Sequence, residues 1–167
     1  MEKINFDKLV NMVDDFLAPF GLDSDYDTDF SYDIEEERVY FSILVAERSD
    51  RLFKEYIKKT FNFDVPSIFM ISLLHEVGHA ETIKDITFKQ FKKDRRAKNV
   101  LIERLEAVSK DDPAYDVIFS EYFDLGVEKV ATQWAINYYK TNKRRCDDFY
   151  FAFEDALREE YKRINLK

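Results

Sequence analysis

Of the 167 residues in the chain, only 3 are glycine and 3 are proline. Tight turns and flexible connections draw heavily on these two residues. A chain so poor in both favours long helices with short joints over a fold of many strands. Its hydrophobic fraction of 46%, with 16 Phe and 10 Tyr, supplies a core large enough for one domain spanning residues 1–167.

Hydrophobic periodicity fills in the plan. Residues 4–18 carry Ile4, Leu9, Val10, Val13, Phe16 and Leu17 at helical spacing, and Pro19 and Gly21 end that helix. From 24 to 34 the chain alternates, with Tyr26, Thr28, Phe30, Tyr32 and Ile34 set against Asp25, Asp27, Asp29, Ser31 and Asp33. A period of two predicts a half-buried strand. Glu35 to Glu37 would form a turn and Val39 to Val45 a second strand, giving a hairpin over 24–45. Five helices follow. The first is capped by Ser49 or Asp50 and runs to about Thr60, and the second carries Pro66 in its first turn and is apolar nearly all round through Val77. Such a helix is buried. Thr87 caps a basic helix to about Ser109, after which Asp112-Pro113 breaks the chain. Residues 125–140 form the fourth, and Asp147 caps the last, whose stripe is Phe149, Phe153, Ala156, Leu157, Tyr161 and Ile164. The expected class is α+β, mainly helical, with a small antiparallel sheet.

The buried helix contains Leu73-Leu74-His75-Glu76-Val77-Gly78-His79, and these are the only 2 histidines of the chain. Positions four apart lie one turn apart on a helix face, so His75 and His79 can turn their imidazoles to one ion. Glu76, rotated by about 100°, can reach a metal's open position as general base. Two histidines satisfied by ordinary neighbours are the bland alternative, but a polar set in an apolar helix is expensive to bury without partners. Gly78 leaves room for another element to approach. A third ligand cannot be histidine. Asp85 and Cys146 are conceivable, while Glu128, followed on its face by Ala131 and Ala135, is the better candidate. Its alternative role is that of a first-turn glutamate favoured by the helix dipole.

These segments, the second reading Glu128-Lys129-Val130-Ala131-Thr132-Gln133-Trp134-Ala135, resemble the ImmA/IrrE-type zinc metallopeptidases of bacteria, phages and mobile elements. The resemblance covers about residues 38–140. It implies a zincin-like fold, a small sheet beside the active-site helix, with His75, His79 and Glu128 as zinc ligands and Glu76 as base. The family often has Asn where this chain has Thr132, and often an apolar segment ending in Met-Pro where this chain reads Ile136 to Lys140. The expected function is zinc-dependent hydrolysis of a protein or peptide substrate. The competing reading is a zincin-fold binding or regulatory protein with little hydrolytic activity. A peptide would lie along the strand at 39–45 as an edge. Tyr115, Tyr122, Tyr138 and Tyr139 are candidate oxyanion donors, and Thr132 or Asp85 could orient a ligand histidine.

Other signals constrain less. A net charge of −8 disfavours phosphate-backbone binding. The run Lys84, Lys89, Lys92, Lys93, Arg95, Arg96, Lys98 reads first as a solvated helix face, with an acidic partner or nucleic acid as the functional alternatives. Asp23, Asp25, Asp27 and Asp29 lack the glycine that a calcium loop needs. The N-terminus lacks the apolar core of a signal peptide, and no run of about 18 apolar residues occurs. With one cysteine, Cys146, the expected setting is cytoplasmic.

Overall fold

The computed structural model describes residues 4–165. Helix α1 (Phe6–Leu17) leads through a short turn of 3₁₀ helix, Ala18–Phe20, into β1 (Asp23–Tyr26). Strands β2 (Ser31–Asp33) and β3 (Arg38–Phe41) follow, and then α2 (Glu47–Phe61) and α3 (Ile68–Thr82). The chain continues through α4 (Phe88–Ala107), α5 (Pro113–Phe123), α6 (Gly126–Thr141) and α7 (Lys143–Asn165). The class is α+β and mainly helical, with one three-stranded mixed sheet.

The sheet departs from the expected hairpin. Its order is β1-β3-β2, with β1 parallel to β3 and β2 antiparallel to it. The alternating stretch at 24–34 is two strands rather than one, on opposite flanks of β3. Asp27 marks the break: its amide donates to the Phe41 carbonyl at 2.9 Å, and its carboxylate takes the Thr28 amide at 2.6 Å, turning the chain out of register. Asp33 Oδ1 then accepts the amides of Glu35 and Glu36, closing the turn into β3. Alternation reports that residues suit a pleated surface; it does not report which neighbour each half will find. The strand expected to reach Val45 ends at Phe41, and it is central, not an edge.

Three helix starts also differ. Ser67 is the N-cap of α3, its side chain accepting from the Met70 amide, so Pro66 sits just outside rather than in the first turn. Helix α2 begins at Glu47, and Asp50 reaches back to accept the Ala46 amide at 3.3 Å. Helix α7 begins at Lys143, so Asp147 lies within it, paired with Lys143 and accepting from the Tyr139 hydroxyl. Asp112-Pro113 does more than break the chain. Asp112 caps the Ala114 amide at 2.8 Å and Pro113 occupies the first turn of α5, a helix not anticipated.

Helix α3 organises the interior. Met70, Ile71, Leu73, Leu74 and Val77 are fully buried. Phe69 stacks on Phe153 of α7 at 4.6 Å and meets Phe41 of β3 edge-on. Along its other side α3 runs against α6. A Cβ on Gly78 would lie 2.5 Å from the Ala131 carbonyl oxygen of α6, closer than real contacts allow. Glycine is therefore what lets the two backbones touch. Among the described residues no helix is long and apolar enough to cross a membrane.

Replacing Gly78 by Ala is expected to push α3 from α6 and to cost about 1–3 kcal/mol in chemical denaturation, the usual range for overpacking. Wild-type stability in that variant would mean the helices are not held at this contact.

Candidate metal centre

The α3–α6 contact sets the site. His75 and His79 leave α3 one turn apart, and Glu128 and Thr132 leave α6 one turn apart. His75 Nε2 lies 3.1 Å from Glu128 Oε2, His79 Nε2 lies 3.2 Å from the same oxygen, and the two Nε2 atoms are 3.1 Å apart. Glu128, at 1% exposure, is no surface glutamate of a first turn. Among the described residues, this is the one group of three His, Cys, Asp or Glu donors that could hold a metal, its donor atoms all within 4.8 Å.

Thr132 fixes the chemistry of His75. Its hydroxyl donates to the Glu128 carbonyl oxygen at 2.9 Å, having one proton to give. Toward His75 Nδ1, 3.0 Å away, it can then only accept. Nδ1 therefore carries the ring proton, and in a neutral ring Nε2 presents a lone pair to the cluster.

The three facing atoms form a triangle, and with Glu128 ionised hydrogen bonds cannot satisfy it. Each edge needs one donor and one acceptor, but the carboxylate oxygen only accepts and each Nε2 either donates or accepts, so the three cannot alternate. A proton on His79 Nε2 serves two edges and leaves His75 Nε2 against the carboxylate, lone pair to lone pair. Protons on both rings serve Glu128 and set N–H against N–H. A cation between the three accepts all three lone pairs at once. The edges of 3.1 to 3.2 Å are also close to the roughly 3.3 Å between donors held 2.0 Å from a tetrahedral centre. Two imidazoles, one carboxylate and no thiolate make a set suited to zinc with an open fourth position.

The surrounding charges agree with ionised Glu128. Burial alone would raise its pKa, but the two imidazoles facing it, wherever they carry protons, outweigh burial and hold it well below the ordinary carboxylate range. For His79 burial lowers the pKa, yet its bond with Glu128 and the charge of Glu76 prevail and the net shift is upward.

Glu76, half-buried at the next position of α3, lines a cleft of about 890 Å³ that opens over the histidines and Glu128. The loop and strand Thr28–Tyr32 form one wall, and Arg95, Lys98 and Ile102 of α4 form another. Strand β2, paired on one side only, is the sheet edge facing this cleft. Of the four tyrosines considered, Tyr115 and Tyr122 line it. Burial, reinforced by the Glu128 charge, pushes the Tyr122 pKa up, so its hydroxyl stays protonated. Tyr139 instead donates to Asp147, and Tyr138 stacks on Trp134 at 5.1 Å. Asp85 is exposed in the 3₁₀ turn Ile83–Asp85 and stands outside the cluster, as does Cys146. Burial pushes the Cys146 thiol up to about 11, which leaves it inert at neutral pH.

One member escaped the reading of the sequence. Lys98, the last cation of the basic run, donates from Nζ to Glu128 Oε1 at 2.9 Å. Lys84, Lys89, Lys92, Lys93, Arg95 and Arg96 are exposed. Nothing in the run distinguishes Lys98; only the packing of α4 against α6 turns it inward. Compared with protein-family models, curated proteins and solved structures, the chain matches none.

In chelator-treated protein, Thr132→Val is expected to lower stability by about 1–3 kcal/mol, because a buried Nδ1–H loses its acceptor. Thr132→Ser, which keeps the hydroxyl, should lose less. A valine variant as stable as wild type in urea denaturation would mean that Thr132 does not orient His75.

Proposed function

We propose that the protein is a zinc-dependent metallopeptidase with a zincin-like fold, similar to the ImmA/IrrE group, acting on a protein or peptide substrate. The observation that carries this reading is the convergence of His75 Nε2, His79 Nε2 and Glu128 Oε2 on one point, with Glu76 of the same helix lining the adjoining cleft.

A zinc ion held by these three residues would supply Lewis-acid polarisation of a peptide carbonyl and acidify water to a pKa of about 7. The chain's own residues do the rest. Glu76 stands one position along α3 from His75, turned by about 100° toward the cleft. Its carboxylate takes a proton from the attacking water and passes it to the leaving amine. The free edge of β2 offers backbone amides and carbonyls to an extended segment. That moves peptide alignment from 39–45, where β3 has both sides occupied, to Ser31–Asp33. Tyr122 keeps its proton and lines the cleft, which makes it the better placed of the candidate donors to a developing oxyanion. The cleft itself favours a peptidase over a protein that only binds metal. The single cysteine, Cys146, is compatible with action in a reducing, cytoplasmic setting.

Purified tag-free protein is expected to carry about one zinc per chain, and His79→Ala to lose it. Glu76→Gln should keep the zinc while cleavage of an unfolded protein substrate falls at least about a hundredfold, the scale of general-base catalysis. Zinc retained with undiminished cleavage would remove Glu76 from the mechanism. No zinc bound, even when supplied, would refute the metal reading.

A further inference from the structure

The carboxylate of Glu128 has two oxygens, and they meet different worlds. Oε2 faces His75 and His79, while Oε1 accepts from Lys98 Nζ at 2.9 Å. Glu128 is 1% exposed, so with Lys98 in place Oε1 is satisfied by the ammonium rather than by water. Without Lys98, the carboxylate would have reason to rotate and offer both oxygens to an ion. With Lys98 in place, one oxygen is taken. The ammonium is itself held, lying 5.2 Å from the centre of the Tyr122 ring. Burial disfavours its charge, but Glu128 and then Tyr122 outweigh burial and drive its pKa upward. Lys98 also belongs to α4, whereas the histidines belong to α3 and Glu128 to α6. The bond therefore ties the ligand to a third helix, one that forms a wall of the cleft.

Resting on the metal reading above, we propose that Lys98 is a positioning residue that confines Glu128 to one-oxygen coordination and so keeps the fourth position of the metal free for water or substrate. It acts on the metal site through Glu128. A bidentate glutamate would add a ligand beside the bound water, taking the ion from four ligands to five and crowding the position that substrate must reach. An ammonium and a guanidinium can both occupy Oε1, whereas an apolar side chain of similar length cannot.

The test compares wild type, Lys98→Met and Lys98→Arg, loaded with zinc or cobalt(II). Zinc affinity, measured by competition with a chromophoric chelator, is expected to fall by about 10–100-fold in Lys98→Met. The visible bands of its cobalt form should weaken as the ion passes from four to five ligands. Lys98→Arg should restore the wild-type spectrum and most of the affinity. Methionine and wild-type proteins with the same affinity and the same spectrum would overturn the assignment, as would equal losses in both variants, which would make Lys98 a packing residue. If Lys98→Met does not fold, the wild-type cobalt spectrum still decides: intense four-coordinate bands agree with a one-oxygen glutamate, and weak five-coordinate bands contradict it. A wild type that takes up neither metal overturns the metal reading itself, a result distinct from all of these.

Discussion

The backbone contact between Gly78 and Ala131 is the constraint on which the rest of this structure rests. A helix pair is ordinarily separated by its side chains, with axes roughly 8–10 Å apart. Here a Cβ on Gly78 would lie 2.5 Å from the Ala131 carbonyl oxygen, so α3 and α6 meet backbone to side-chain-free backbone. His75 stands three residues before Gly78, and Glu128 three before Ala131. Once the helices touch, His75 faces both Glu128 and Thr132, and His79 faces Glu128. The later residue of one helix meets the earlier residue of the other, as in antiparallel packing. One small residue on each helix thus determines which polar groups are buried together.

What they bury is electrostatically unfinished. A buried polar cluster is stable when each donor finds an acceptor. With Glu128 ionised, the His75–His79–Glu128 triangle cannot meet that condition with protons alone, because the carboxylate only accepts and two donating Nε2 atoms would then face each other. Around it the structure is fully committed. Thr132 takes one side of His75, Lys98 takes the far oxygen of Glu128, and Phe53 and Phe123 pack edge-on against the His75 ring. These aromatic contacts hold the orientation of the His75 ring. The cluster is a set of donor atoms aimed inward and braced from outside, which could hold a metal ion.

How much of this could be read from the sequence follows from the range of each interaction. His75, Glu76 and His79 are local: helical spacing alone puts them in relation, and the apolar context marks the helix as buried. Glu128 required one non-local step, which the small residues Ala131 and Ala135 signalled. The sheet was legible as strand-forming sequence but not as topology, because Asp27 breaks the alternating run by bonding to its neighbour's amide while the residue pattern continues unchanged. Helix α5 begins at Pro113, which in the sequence reads only as a break in the chain. Lys98 was invisible among its basic neighbours, since its role depends on where α4 settles relative to α6. The comparison of local with distant is consistent: motifs within one helix were readable, and what depended on three helices meeting was not.

The most direct measurement is a crystal structure of zinc-loaded protein with anomalous diffraction recorded on both sides of the zinc absorption edge. One strong peak is expected, bounded by His75 Nε2, His79 Nε2 and Glu128 Oε2, at about 2.0–2.2 Å from each. Glu76 is expected beside the open fourth position. A peak at any other place, or zinc-free histidines and Glu128 in protein crystallised with excess zinc, would contradict the metal reading.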